Sequence, residues 1–69
     1  MYEIRDDLDK AVSFYEKSLA INQELGRKEG VADQYGNLGI VYRIRGDLDM
    51  AARSHEKSLV INQKLGRKE

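Results

Sequence analysis

The chain has 69 residues, with 12 Lys plus Arg against 12 Asp plus Glu and therefore a formal charge of zero. That balance argues against a nucleic-acid binder, which needs a basic surface to release phosphate counterions, and against a polybasic membrane module. There is no Cys and a single His, which excludes a disulfide framework, a thiolate nucleophile and a metal site built from Cys or His.

The length fits one small domain or part of one. At 35% charged and 41% apolar residues, the composition reads as soluble and helical. No run approaches the ~20 apolar residues of a membrane span. Glu3, Arg5, Asp6, Asp7 and Asp9 leave no apolar signal-peptide region, so the cytoplasm is the default expectation.

Taken in chain order, the first predicted element is a short helical stub over 1–5, followed by helices over 7–25, 28–45 and 47–66. The 7–25 helix carries Leu8, Ala11, Val12, Tyr15, Ser18, Leu19 and Leu25 on one 3.6-period face. Asp6 is expected to make the turn before it, in a left-handed conformation that Asp tolerates better than most residues. Gly26 stops it, free to adopt positive φ. The 28–45 helix repeats the pattern with Val31, Tyr35, Leu38, Gly39 and Tyr42. Gly46 ends that helix, and Asp47 is expected to cap the next one with its carboxylate while Asp49 adds charge to the first turn. The last helix continues with Leu48, Ala51, Ala52, His55, Ser58, Leu59 and Leu65. No stretch alternates with period two, so no strand is predicted.

The sequence also matches itself at an offset of 40 residues. Of the 28 pairs from Tyr2/Tyr42 to Glu29/Glu69, 19 are identical. The expected organisation is a single module, 1–69, with a partial repeat over 1–29 and a full repeat over 30–69, cut from a longer array.

Tyr35-x-x-Leu38-Gly39-x-x-Tyr42 followed by Ala51-x-x-x-His55 resembles the tetratricopeptide pattern Trp-x-x-Leu-Gly-x-x-Tyr followed by Ala-x-x-x-Phe. The partial copy keeps Tyr2 and Ala11-x-x-x-Tyr15. Tyr35 stands for the Trp and His55 for the second-helix aromatic, the terminal Pro is missing, and the unit is longer than the usual 34 residues. In these respects the chain is similar to the long-helix repeats of kinesin light chains, cell-polarity adaptors and bacterial signalling proteins. The resemblance implies an all-α solenoid of antiparallel helix-turn-helix units, here one and a half to two repeats in three main helices. Gly39 is expected to lie close to Ala51, with Tyr35, Leu38, Tyr42, Leu48 and Leu59 filling the space around them.

Arrays of this kind hold extended peptides or partner proteins on a concave face lined by the first helix of each repeat. The resemblance places that face on Asp33, Asn37, Ile40 and Ile44, with Arg43 and Arg45 available to an acidic partner. Asn37 is the leading candidate, because an Asn before the Leu-Gly pair holds peptide backbone in kinesin-light-chain-like repeats and its amide both donates and accepts. Asn37 could instead bond within its helix or bridge to a neighbouring repeat. Ile40 and Ile44 could be buried against one.

No enzyme and no cofactor or metal is expected. His55 reads as a packing residue, Asp47 and Asp49 as helix-start residues without calcium-loop spacing, and Gly26-Arg27-Lys28-Glu29-Gly30 lacks the Gly-Lys-Ser/Thr ending of a phosphate loop. The functional expectation is a scaffold that binds a protein or peptide partner, without nucleic acid or membrane. The alternatives are a module that self-assembles into homo-oligomers through its end helices, and regulatory repeats of a larger signalling protein.

Overall fold

A computed structural model describes the backbone of residues 4–66 and the side chains of residues 7–66. Three helices follow one another: α1 (Ile4–Leu25), α2 (Lys28–Arg45) and α3 (Leu48–Leu65), with no strand among the described residues. The principal extents are 44 × 23 × 16 Å, the dimensions of one layer of helices. α1 and α3 each pack on α2, with no close backbone approach to each other among the described residues. The short turns make successive helices antiparallel, so α1 and α3 run in the same direction along the two flanks of α2.

The turns are built by glycine. Gly26 has φ 71° and Gly46 φ 90°, a region costing other L residues ~1–2 kcal/mol. At the first turn Gly26 N–H donates to Gln23 O and Arg27 N–H to Asn22 O; at the second, Gly46 N–H donates to Arg43 O and Asp47 N–H to Tyr42 O. This paired pattern occupies carbonyls that the helix end would otherwise leave without partners. Glu29 lies in the first turn of α2 and Arg43 and Arg45 in its last, each complementing the helix dipole.

Two expectations about the turns are corrected. The break at Asp6 does not occur: α1 runs unbroken from Ile4, and no described residue other than glycine has positive φ. Asp would meet a steric cost there that continuing the helix avoids. The stub expected over 1–5 is therefore merged into α1 from residue 4, and its first three residues, Tyr2 among them, lie outside the described residues. Asp47 occupies the position before α3 but makes no capping bond with its side chain. Its carboxylate instead meets Arg45 Nε at 3.4 Å.

The core lies along α2, because that helix is covered from both flanks. Leu38, Tyr42 and Ala51 are buried together, with Val12, Tyr15 and Leu19 of α1 packed against them. Val31, Ala32 and Val41 are buried as well. α3 is fastened by Ser58, whose hydroxyl donates to Ala32 O at 2.9 Å. Two members of the expected core are corrected. Leu48 is 65% exposed and Leu59 37% exposed, so Leu48 stands at the surface and Leu59 at the margin of the core. Tyr35 is only half buried. The close approach at Gly39 is also reassigned: the group over it is the His55 ring, not Ala51.

Candidate functional site

Asp33, Asn37, Ile40 and Ile44 fall within a sector of about 60° on α2 at 3.6 residues per turn, and Arg43 borders it. Leu38, Val31 and Tyr42 occupy the opposite, buried side of the same helix. The four residues therefore lie on the face of α2 turned away from the core. Asp33 and Arg43 are exposed, and Asn37 is half buried. Ile40 is 48% exposed and Ile44 61% exposed.

The stripe ends in a depression at each side. Ile44, Leu8, Asp9 and Arg45 line one of about 380 Å³. Asp33, Glu29, Gly30 and Asn22 line the other, of about 680 Å³, beside the first turn. Asn37 lies between them. Among the described residues its side chain makes no hydrogen bond, so the intrahelical bond considered from the sequence is not formed. Arg45 is less available than the sequence suggested. Its guanidinium sits 3.5 Å from Asp9 and 3.4 Å from Asp47, tying the start of α1 to the α2–α3 turn.

His55 is exposed yet packs, its ring lying flat over the backbone of Gly39. Among the described residues no three of His, Asp and Glu gather where they could hold a metal ion. Burial raises the Tyr42 phenol above its ordinary value, and the nearby Glu16 carboxylate adds to the shift. Tyr42 is part of the core, so this reports packing. Sequence reasoning overlooked Lys57, whose ammonium stands 5.3 Å from the centre of the Tyr35 ring. Their positions on successive helices carry no periodic signal that would have paired them.

The repeat register, the Leu38-Gly39 pair under His55 and the two antiparallel turns all describe a helix-turn-helix unit that recurs. A family model for the tetratricopeptide repeat matches residues 1–64. The chain belongs to the tetratricopeptide repeat family. Neither a curated protein nor a solved structure was found to match it. Tetratricopeptide repeats generally mediate protein–protein interaction, typically as non-catalytic scaffolds. No described helix of this chain is long and apolar enough to cross a membrane.

Proposed function

We propose that this tetratricopeptide module binds an extended segment of a partner protein along the outer face of α2, through Asp33, Asn37, Ile40, Arg43 and Ile44. The supporting observation is that two isoleucines, 48% and 61% exposed, follow the uncommitted amide of Asn37 along the face of α2 turned away from the core. From Asp33 to Ile44 the helix rises about 16 Å, the span of about five residues of extended chain. Asn37 would hold a backbone amide of that segment irrespective of its sequence, while Ile40 and Ile44 take apolar side chains. Arg43 would favour an acidic residue beside them. The test is selection of binders from a random peptide library, followed by affinity measurements on variants. Ile44→Asp and Asn37→Ala are expected to weaken the selected peptides tenfold or more, by about 1.4 kcal/mol, while thermal stability stays within about 0.5 kcal/mol, as for other surface changes. Unchanged affinity in both variants contradicts this reading.

A second reading, self-assembly, draws on α1. Its Phe14 and Ile21 are 64% and 55% exposed. Their counterparts 40 residues later, Ser54 and Ile61, lie buried or half buried in α3. The α1 face thus lacks the helix that its copy in α3 enjoys, and a second chain could supply the cover. Light scattering over a hundredfold concentration range distinguishes the two: a mass rising above 7.9 kDa favours assembly, and a constant monomer mass leaves the α2 face as the reading.

A further inference from the structure

Because α1 and α3 flank α2 with no close backbone approach to each other among the described residues, a trough remains between them, on the side of α2 opposite the Asp33–Ile44 stripe. Its widest part, about 540 Å³ and broadly open to solvent, has Gln23 of α1 on one side, Tyr35 and Val31 beneath and Val60 of α3 on the other side. Adjoining hollows of about 350 and 280 Å³ extend it towards the α1–α2 turn and towards Met50. Val60 and Met50 are 47% and 44% exposed, so the trough offers apolar surface to solvent along α3. Its charge differs from that of the whole chain. Lys28, Arg53, Lys57 and Lys64 line it against Glu16 and Glu56, on a chain whose formal charge is zero.

We propose that this trough is a second docking surface, and that its occupant is an acidic amphipathic helix of a partner protein. The ten-residue separation of Met50 and Val60 corresponds to about 15 Å of helix, nearly three turns of an occupant laid parallel to α3. The occupant's apolar residues would meet Val60 and Met50. Its carboxylates would meet Arg53 and Lys57, the latter held at the rim by its contact over Tyr35, 5.3 Å from the ring centre. An excess of cations on a chain that is neutral as a whole selects the sign of the partner. A nucleic-acid strand fits less well. Such strands are held by basic grooves that offer aromatic faces in succession for base stacking, whereas the one aromatic ring on this floor, Tyr35, already has Lys57 over it. The surface is independent of the α2 stripe and stands whether or not that stripe binds.

The test uses the 69-residue chain and three fluorescein-labelled probes, read by anisotropy. One is a twelve-residue peptide of Glu and Leu with Leu at helical spacing. The second replaces each Glu with Lys. The third is a twelve-nucleotide oligothymidylate. The Glu–Leu peptide is expected to bind, to weaken as salt rises, and to lose about tenfold or more in affinity on the Arg53→Glu, Lys57→Glu double variant. Ile44→Asp is expected to leave its affinity unchanged. If charge reversal lowers helicity by circular dichroism, the Arg53→Gln, Lys57→Gln pair replaces it, with a smaller loss expected in the same direction. Failure of the Glu–Leu peptide to bind overturns the proposal. So does equal binding of the Lys–Leu peptide, preference for the oligonucleotide, or full affinity in the well-folded charge variants.

Discussion

The imidazole of His55 occupies the space in which a side chain on Gly39 would begin: Cε1 and Nε2 lie 2.7 Å from the position of a Cβ there. The ring can lie here against α2 only because Gly39 has no side chain. In a helix interior Gly costs about 1 kcal/mol relative to Ala, so its presence has to be explained by contact. The expected outcome is a coupled pair. Gly39→Ala alone gains little or destabilises, because the ring must swing away. In a His55→Ala background the same change stabilises by about 1 kcal/mol. Urea unfolding of the four proteins measures the coupling, and additivity would show that the ring does not constrain position 39.

The α1–α2 junction has a contact of the same kind. A Cβ on Gly30 would collide with the Asn22 side chain, whose Nδ2 donates to Ser18 O at 2.8 Å. Gly30→Ala is expected to dislodge that amide and to cost about 1–3 kcal/mol, the range for a partly buried polar group deprived of its partner. Thermal denaturation checks it, and a rise in midpoint would mean that Asn22 relocates freely.

Leu38 is 3% exposed and sits with Tyr42 and Ala51 at the centre of the layer. Leu38→Ala is expected to cost about 2–5 kcal/mol, comparable to the whole stability of a small domain. Loss of helical circular dichroism at 25 °C is the readout. Leu48→Ala, at a residue 65% exposed, is expected to stay within about 0.5 kcal/mol of the parent. Equal losses in the two variants would relocate the core.

Tyr42 carries the alkaline end of the stability profile. Its phenol is raised by burial first and by Glu16 second, so the folded state holds this proton more tightly than the unfolded chain does. The contribution is complete below the ordinary tyrosine value and is lost as pH rises through the raised folded value. Thermal midpoints measured from neutral pH into that alkaline range are expected to fall more steeply for the parent than for Tyr42→Phe. Parallel curves would remove Tyr42 from the account.

Three helices, their order and two of their turns were legible in the sequence because the signals are local. Gly26 and Gly46 are needed for positive φ, and the Leu38–Tyr42 spacing belongs to a helix whose partners follow in the chain. The misjudged residues depend on something beyond local pattern. Leu48 and Leu59 continue an apolar phase in α3, yet periodicity does not say which part of that face α2 reaches. Residue size sets Ala51 opposite Gly39, but His55, one turn further along the same side of α3, supplies the atoms nearest to it. Asp47 looked like a cap, and Arg45 two residues earlier drew its carboxylate instead. The stripe on α2 was readable because Asp33, Asn37, Ile40 and Ile44 share one helix. The trough was not, since Gln23, Tyr35 and Val60 belong to three helices and meet only in the folded layer.

The account turns on the outer face of α2 as the partner-binding surface. The most direct measurement is an amide chemical-shift map of the isotope-labelled chain, titrated with a peptide selected on the parent protein. The expected result is a set of shifts concentrated at Asp33, Asn37, Ile40, Arg43 and Ile44. Shifts confined to Phe14 and Ile21 of α1, or to the Tyr35–Val60 trough, with the α2 stripe unmoved, would contradict it.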